Sequence, residues 1–186
     1  MSSIESRYIE HIDRSKFAGQ GPATEQAVIK FFQTQFANME VRQATPEEDA
    51  GDTGFTSGKI IDAVAYLDHK PALALQITST VDKGQRLKKM EELRSRPFLR
   101  LAEMKPQDPS IPRVLVYVEA KDIIELTSDF DFSKPNQVGK QILESTISSL
   151  EFDLLNTKNP EEIKRLGLLL QMLRDKKDKS EKGAHN

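Results

Sequence analysis

Three apolar runs constrain this chain more than anything else in it: "KIIDAVAYL" at 59–67, "PALALQITST" at 71–80 and "IPRVLVYVEA" at 111–120. Each is hydrophobic at both sets of alternating positions. In the first, Ile60, Val64 and Tyr66 fall on one side, and Ile61, Ala63, Ala65 and Leu67 on the other. A strand apolar on both sides is buried on both sides, so it belongs inside a sheet covered by helices above and below. The turn "DHKP" at 68–71 is short enough to join the first two runs as a hairpin.

The flanking sequence supplies the helices. "PATEQAVIKFFQTQFA" opens with Pro22 and carries Ala27, Val28, Phe31, Phe32 and Phe36 on one stripe. "MEVRQAT" alternates and predicts a short strand reaching about Thr45, and "PEEDAGDTGFTSG" is an acidic loop. "DKGQRLKKMEELRSRPFLRLAEM" predicts a helix interrupted at Pro97. Residues 122–136 read as a connector with a helical turn. "QVGKQILESTISSLEFDLL" is amphipathic, with Val138, Ile142, Thr146, Leu150 and Leu154 on one side. In "NPEEIKRLGLLLQMLRDKK", Asn159 is placed to cap, Pro160 suits the first turn, and Glu161 and Glu162 favour its positive end. The expected fold is a three-layer α/β/α sandwich with an αβββαβ core and two further C-terminal helices. Residues 1–20 read as a polar lead-in, 21–174 as one domain and 175–186 as a flexible charged tail.

A chain of 186 residues suffices for one domain with a real core. It has no cysteine, which excludes a disulfide framework, a cysteine-based zinc site and thiol catalysis. With no apolar stretch of signal-peptide or membrane-span length, the expectation is a cytoplasmic protein that does not enter a membrane. The three histidines, His11, His69 and His185, are too scattered to form a ligand cluster, and the chain has neither a nucleophile elbow nor a phosphate-binding glycine loop.

Polar residues inside the hairpin are the first candidates for chemistry. Gln76 and Thr78 share a face of their strand, with Ala72 and Ala74 on that face and Leu73, Leu75 and Ile77 on the other. Asp62 joins them only if it pairs with Gln76 or Thr78, and the turn permits either parity. A buried carboxylate needs a partner. A hard divalent cation, Mg²⁺ or Mn²⁺, ligated by Asp62 and Gln76 is one; a strand-end cap or a buried Arg or Lys is the alternative.

The order of elements, the Glu in "ATEQAVIKFF", the Asp in "KIIDAVAYL" and the pair Gln76 and Thr78 in "ALQITST" resemble the PD-(D/E)xK nuclease superfamily, with a degenerate third-strand motif, over roughly residues 22–119. The resemblance implies Glu25 as the helix acid, Asp62 as the strand acid, and Gln76 and Thr78 in place of the acid-x-Lys pair. Gln76 brings an oxygen without charge, and Thr78 cannot polarise water as an ammonium does. The missing lysine would then come from a neighbouring element, with Lys88, Lys83, Lys89 and Lys59 as candidates. Asp49, among Glu47, Glu48, Asp49 and Asp52 of the acidic loop, would be a further carboxylate.

Charge is distributed unevenly. Lys83, Arg86, Lys88, Lys89, Arg94, Arg96 and Arg100 face only Glu91 and Glu92, a surplus of +5 in a chain of net charge −2. A basic helix beside an acidic site suits phosphate-backbone binding, with Lys83, Arg86, Lys88 and Lys89 as contacts. A solvated face with pairs such as Lys88–Glu92 is the alternative. No aromatic residue interleaves with the charges of 83–96, so base stacking is not expected. The sequence reading is thus a DNA- or RNA-binding nuclease-like domain. If active, it is a Mg²⁺- or Mn²⁺-dependent phosphodiesterase using Glu25, Asp62, Gln76, Thr78 and Lys88. The alternatives are a catalytically degenerate binding module and a protein-interaction domain, with the C-terminal helices available for homo-oligomer formation.

Overall fold

The computed structural model describes residues 20–44, 61–80, 82–95, 97–101, 103–126 and 130–184. Its elements in chain order are α1 (Gln20–Gln35), β1 (Met39–Gln43), β2 (Ala63–Leu67), β3 (Lys70–Thr78), α2 (Lys83–Ser95), β4 (Phe98–Leu99), β5 (Ile111–Tyr117), α3 (Ala120–Ile124), α4 (Gln137–Asn156) and α5 (Pro160–Ala184). The five strands form one mixed sheet in the order β1-β2-β3-β5-β4. β1, β2 and β3 are an antiparallel meander, β5 runs parallel to β3, and β4 pairs antiparallel with β5. The parallel pair requires a crossover, which α2 provides. The αβββαβ order and the C-terminal helix pair are as the sequence predicts.

The hairpin turn is Asp68–His69, with both residues at positive φ (51° and 67°). Two consecutive left-handed residues match the twist of the strands they join, and Asp is among the side chains that tolerate this region best. The turn sets Leu67 opposite Lys70 and Tyr66 opposite Pro71. A bulge between Ala65 and Tyr66 in this pairing shifts the register, and only beyond it does Ala63 fall opposite Leu75 and Val64 opposite Ala74. Ala72 joins the larger core instead of the Gln76 face expected for it.

The two sheet faces are covered unequally. On one, Ala63, Ala65, Leu73, Leu75, Ile77, Val114 and Val116 meet the apolar sides of α1, α4 and α5. Phe32 is fully buried there, and Phe31 stands edge-on to both Phe32 and Phe132. On the other, Val64, Ala74 and Ile111 form a smaller cluster with Ile61, Leu99 and Leu101. α2 belongs to this second side and buries only Leu93.

The β5 edge is closed by a helix. Beyond its short pairing with β4, the backbone N–H groups of Leu115, Tyr117 and Glu119 donate to Ser149 Oγ (3.2 Å), Ser145 Oγ (3.0 Å) and Gln141 Oε1 (2.6 Å). Four helical residues advance about 6 Å. Two strand residues advance about 6.6 Å. One side of α4 therefore presents an acceptor to every second residue of β5, and the edge is unavailable for pairing with another chain.

Two expectations are corrected. The sequence after Pro97 is not helical: Phe98–Leu99 pair with Pro112 and Ile111 as β4. Proline lacks the N–H a helix needs and biases the preceding residue toward extended backbone, so α2 stops at Ser95. The final helix does not end near Arg174 but continues to Ala184. Its last turns have partners: Lys177 pairs with Glu144 (3.8 Å) and Glu181 (4.0 Å), and Lys176 lies 5.5 Å from the centre of the Phe36 ring. At the other end Asn159 caps as predicted, its Oδ1 accepting from Glu161 N–H at 3.0 Å. Among the described residues, no helix is long and apolar enough to cross a membrane.

Candidate functional site

The hairpin register, carried one step past Ala63–Leu75, sets Asp62 across from Gln76, the parity the sequence left open. Asp62 sits just before β2 as a junction. Its backbone N–H donates to Leu75 O (2.8 Å), its carbonyl accepts from Ala44 N–H (3.0 Å), and its carboxylate Oδ2 accepts from Ile77 N–H (2.7 Å). The carboxylate therefore acts as a strand acceptor where the β2 ladder ends. This is the strand-end cap that the sequence allowed as an alternative, and it holds the β3 backbone beside Gln76.

Gln76 is 4% exposed, and its Oε1 is buried without a hydrogen-bond partner. Among the described residues, no hydrogen bond joins it to Asp62 and no ammonium lies within hydrogen-bond range of that oxygen. An orphaned amide oxygen in the interior costs about 1–3 kcal/mol. Thr78, two residues along the same face, turns its hydroxyl to Thr80 N–H (3.3 Å) and so shapes the exit from β3. Glu25 lies on α1, the helix packed against the larger core, and is half-buried. Asp49, the rest of the acidic loop and Lys59 lie outside the described residues.

The described donors do not fit Mg²⁺ or Mn²⁺. Asp62 has one oxygen committed to Ile77, and Gln76 adds an acceptor without charge. Such ions are held by one or two carboxylates plus several waters, which a 4%-exposed side chain leaves little room for. Among the described residues, no three His, Asp or Glu side chains gather as ligands.

The basic helix is better developed. Lys83 and Lys88 are exposed and Lys89 is half-buried, and among the described residues none of the three is in an ion pair. The Lys88–Glu92 pair of a merely solvated face is not formed. Arg86 and Arg94 are held differently. The Arg86 guanidinium lies 4.2 Å from the centre of the Tyr117 ring, and that of Arg94 lies 3.7 Å from the centre of the Phe152 ring. A cation over a ring face is attracted by the ring quadrupole, so both arginines are positioned before any ligand arrives. Sequence reasoning missed these rings, because Tyr117 comes from β5 and Phe152 from α4.

Beside the two arginines runs a groove of about 520 Å³, lined by Lys83, Arg86, Leu87, Met90 and Arg94 of α2, Leu115 and Tyr117 of β5, and Ser148 and Phe152 of α4. Leu87 is 55% exposed on its rim. Lys88 and Lys89 do not line the groove and face other directions on α2.

Next to the groove, Asp153 is 5% exposed and its Oδ2 has no hydrogen-bond partner among the described residues. Burial pushes this carboxyl up to about 7; Arg94 opposes the shift and Glu162 adds to it. Its isolation follows from the α4 ladder. Asp153 is the next acceptor after Gln141, Ser145 and Ser149, but the N–H of the next residue along β5, Arg113, already donates to Pro97 O (2.7 Å).

No family model matches the chain, and neither a curated protein nor a solved structure does.

Proposed function

We propose that this protein binds nucleic acid through its phosphate backbone, with α2 as the contact element, and that it acts as a binding module and not as a phosphodiesterase. The observation that carries the reading is the helix itself. Among the described residues its lysines are in no ion pair and Arg86 and Arg94 are seated on aromatic rings, and it is anchored to the sheet by one buried residue, Leu93. Unpaired lysines surrounded by counterions are what phosphates displace, and that release drives backbone binding. The αβββαβ order and the polar residues at 62, 76 and 78 favour a nuclease-like ancestry. The engaged Asp62 carboxylate and the buried, uncharged Gln76 weigh against hydrolysis.

Fluorescence anisotropy with mixed-sequence DNA and RNA across a salt series tests this. Affinity should fall steeply as salt rises, with little sequence preference, and reversing Lys83, Lys88 and Lys89 to Glu should flatten the slope by about the number of contacts removed. Incubation of the same oligonucleotides with Mg²⁺ or Mn²⁺ should yield no product. Absence of salt-sensitive binding at low ionic strength would refute the binding reading, and cation-dependent cleavage lost in Asp62→Asn would restore the enzyme.

A second reading is self-association through α4 and α5. It rests on Leu155, Ile163 and Leu168, which are exposed near the turn between these helices. Sedimentation showing a monomer at high protein concentration would remove it.

A further inference from the structure

We propose that the groove between α2 and α4 takes unpaired nucleobases, so that the preferred ligand is single-stranded nucleic acid. This rests on the backbone-binding reading above and narrows its substrate class. The groove has three kinds of wall, and each matches one part of a nucleotide. Its apolar lining comes from Leu87, Met90 and Leu115, which suits a base face. One side carries Lys83, Arg86 and Arg94, which suit phosphates. The other offers Ser148, exposed and without a hydrogen-bond partner among the described residues, where a base edge can donate or accept.

The size of the groove separates the candidate ligands. A volume of about 520 Å³ lies within the range of sites that enclose small organic molecules. It admits one or two bases, whereas the bases of a duplex are stacked and paired and cannot enter without being extruded. The arginines add a specific device. Each guanidinium sits over a ring on its inner side, Arg86 on Tyr117 and Arg94 on Phe152. An unpaired base stacking on the outer side of such a plane completes a sandwich, a contact typical of single-strand recognition. The two arginines are eight positions apart on α2, about 12 Å along the axis, so two bases could be held without touching each other. An acidic peptide would satisfy the cations and the apolar lining, but it has no use for two flat cations fixed on rings.

The test is competition binding with wild-type protein and three probes at one salt concentration: a mixed-sequence single strand, the duplex of the same sequence, and an oligo-glutamate peptide of similar charge. The single strand should bind about tenfold or more tighter than the duplex, and the peptide should compete weakly. Arg86→Lys keeps the charge and loses the plane. It should weaken single-strand binding about fivefold or more, and duplex binding by much less, with the salt slope unchanged because the charge is kept. Equal or tighter duplex binding, or a single-strand affinity unmoved by Arg86→Lys, overturns the groove proposal and leaves backbone binding standing. Equal competition by the peptide also overturns it, because the groove would then read charge alone. Failure of both nucleic acids to bind overturns the groove proposal together with the reading it rests on.

Discussion

The two faces of the sheet are made from the same strands and do different work. The face under α1, α4 and α5 is almost wholly hydrocarbon, with Phe32, Leu73, Leu75, Ile142, Leu150, Leu166 and Leu170 essentially removed from water. The face under α2 holds a smaller apolar cluster and buried polar atoms with no hydrogen-bond partner among the described residues, Gln76 Oε1 and Arg86 Nε. Stability therefore resides on the first face. The second is thinly covered and charged, which costs stability and leaves a surface suited to a polyanion. Sites that break local rules of polar satisfaction tend to be where function is kept.

Truncations should expose the asymmetry most strongly. Phe32→Ala should lower stability by about 3–5 kcal/mol in denaturant titration. Leu93→Ala, on the other face, should fall at the low end of the usual 2–5 kcal/mol, because the exposed helix above it can settle into the space. Equal losses at the two positions would mean that the faces are not unequal in the way described.

The next effect is a gain. Asp153 is raised from its ordinary 3.8 to about 7, so the folded state holds this proton more tightly than the unfolded chain does. Its neutral form is favoured below pH 4, and the stability it contributes there is lost as pH rises from about 4 to about 7. Asp153→Asn removes that loss. Relative to wild type it should be more stable by roughly 2 to 4 kcal/mol at pH 8, and indistinguishable from it near pH 4. Thermal melts at the two pH values read this directly, and a variant equally or less stable at pH 8 would show that the carboxylate is paired in solution.

Smaller again is the ladder on the β5 edge. Ser145→Ala and Ser149→Ala each leave a strand N–H without its acceptor and should cost about 1–3 kcal/mol. Ser148→Ala, between them on the groove side, should cost almost nothing. Hydrogen exchange at Tyr117 and Leu115 should quicken in the first two variants only.

Much of this asymmetry was legible in the sequence. Runs apolar on both sets of alternating positions announced a sheet covered twice, and the stripe of Ala27, Val28, Phe31, Phe32 and Phe36 announced the helix on its thick side. The charge surplus of 83–100 marked the thin side. What could not be read was tertiary. Serines 145 and 149 look like ordinary helix-surface residues until a strand lies four helical residues per two of its own beside them. The aromatic seats of Arg86 and Arg94 come from elements distant in sequence, so a search for aromatics within the basic stretch could not find them. The hairpin parity was settled by the bulge between Ala65 and Tyr66, which shifts by one residue the register set at the turn, and nothing in "DHKP" specifies that bulge. Asp62 was recognisable as a buried carboxylate in need of a partner, but its choice of a backbone N–H depends on where the ladder ends.

Hydrogen exchange with and without a saturating mixed-sequence single strand tests most directly the claim that the thin face is the binding face. The account predicts slowed exchange in α2 and along β5 at Leu115 and Tyr117, with α1 and α5 unchanged. Protection confined to α1 or α5, with α2 exchanging at its free rate, would contradict it.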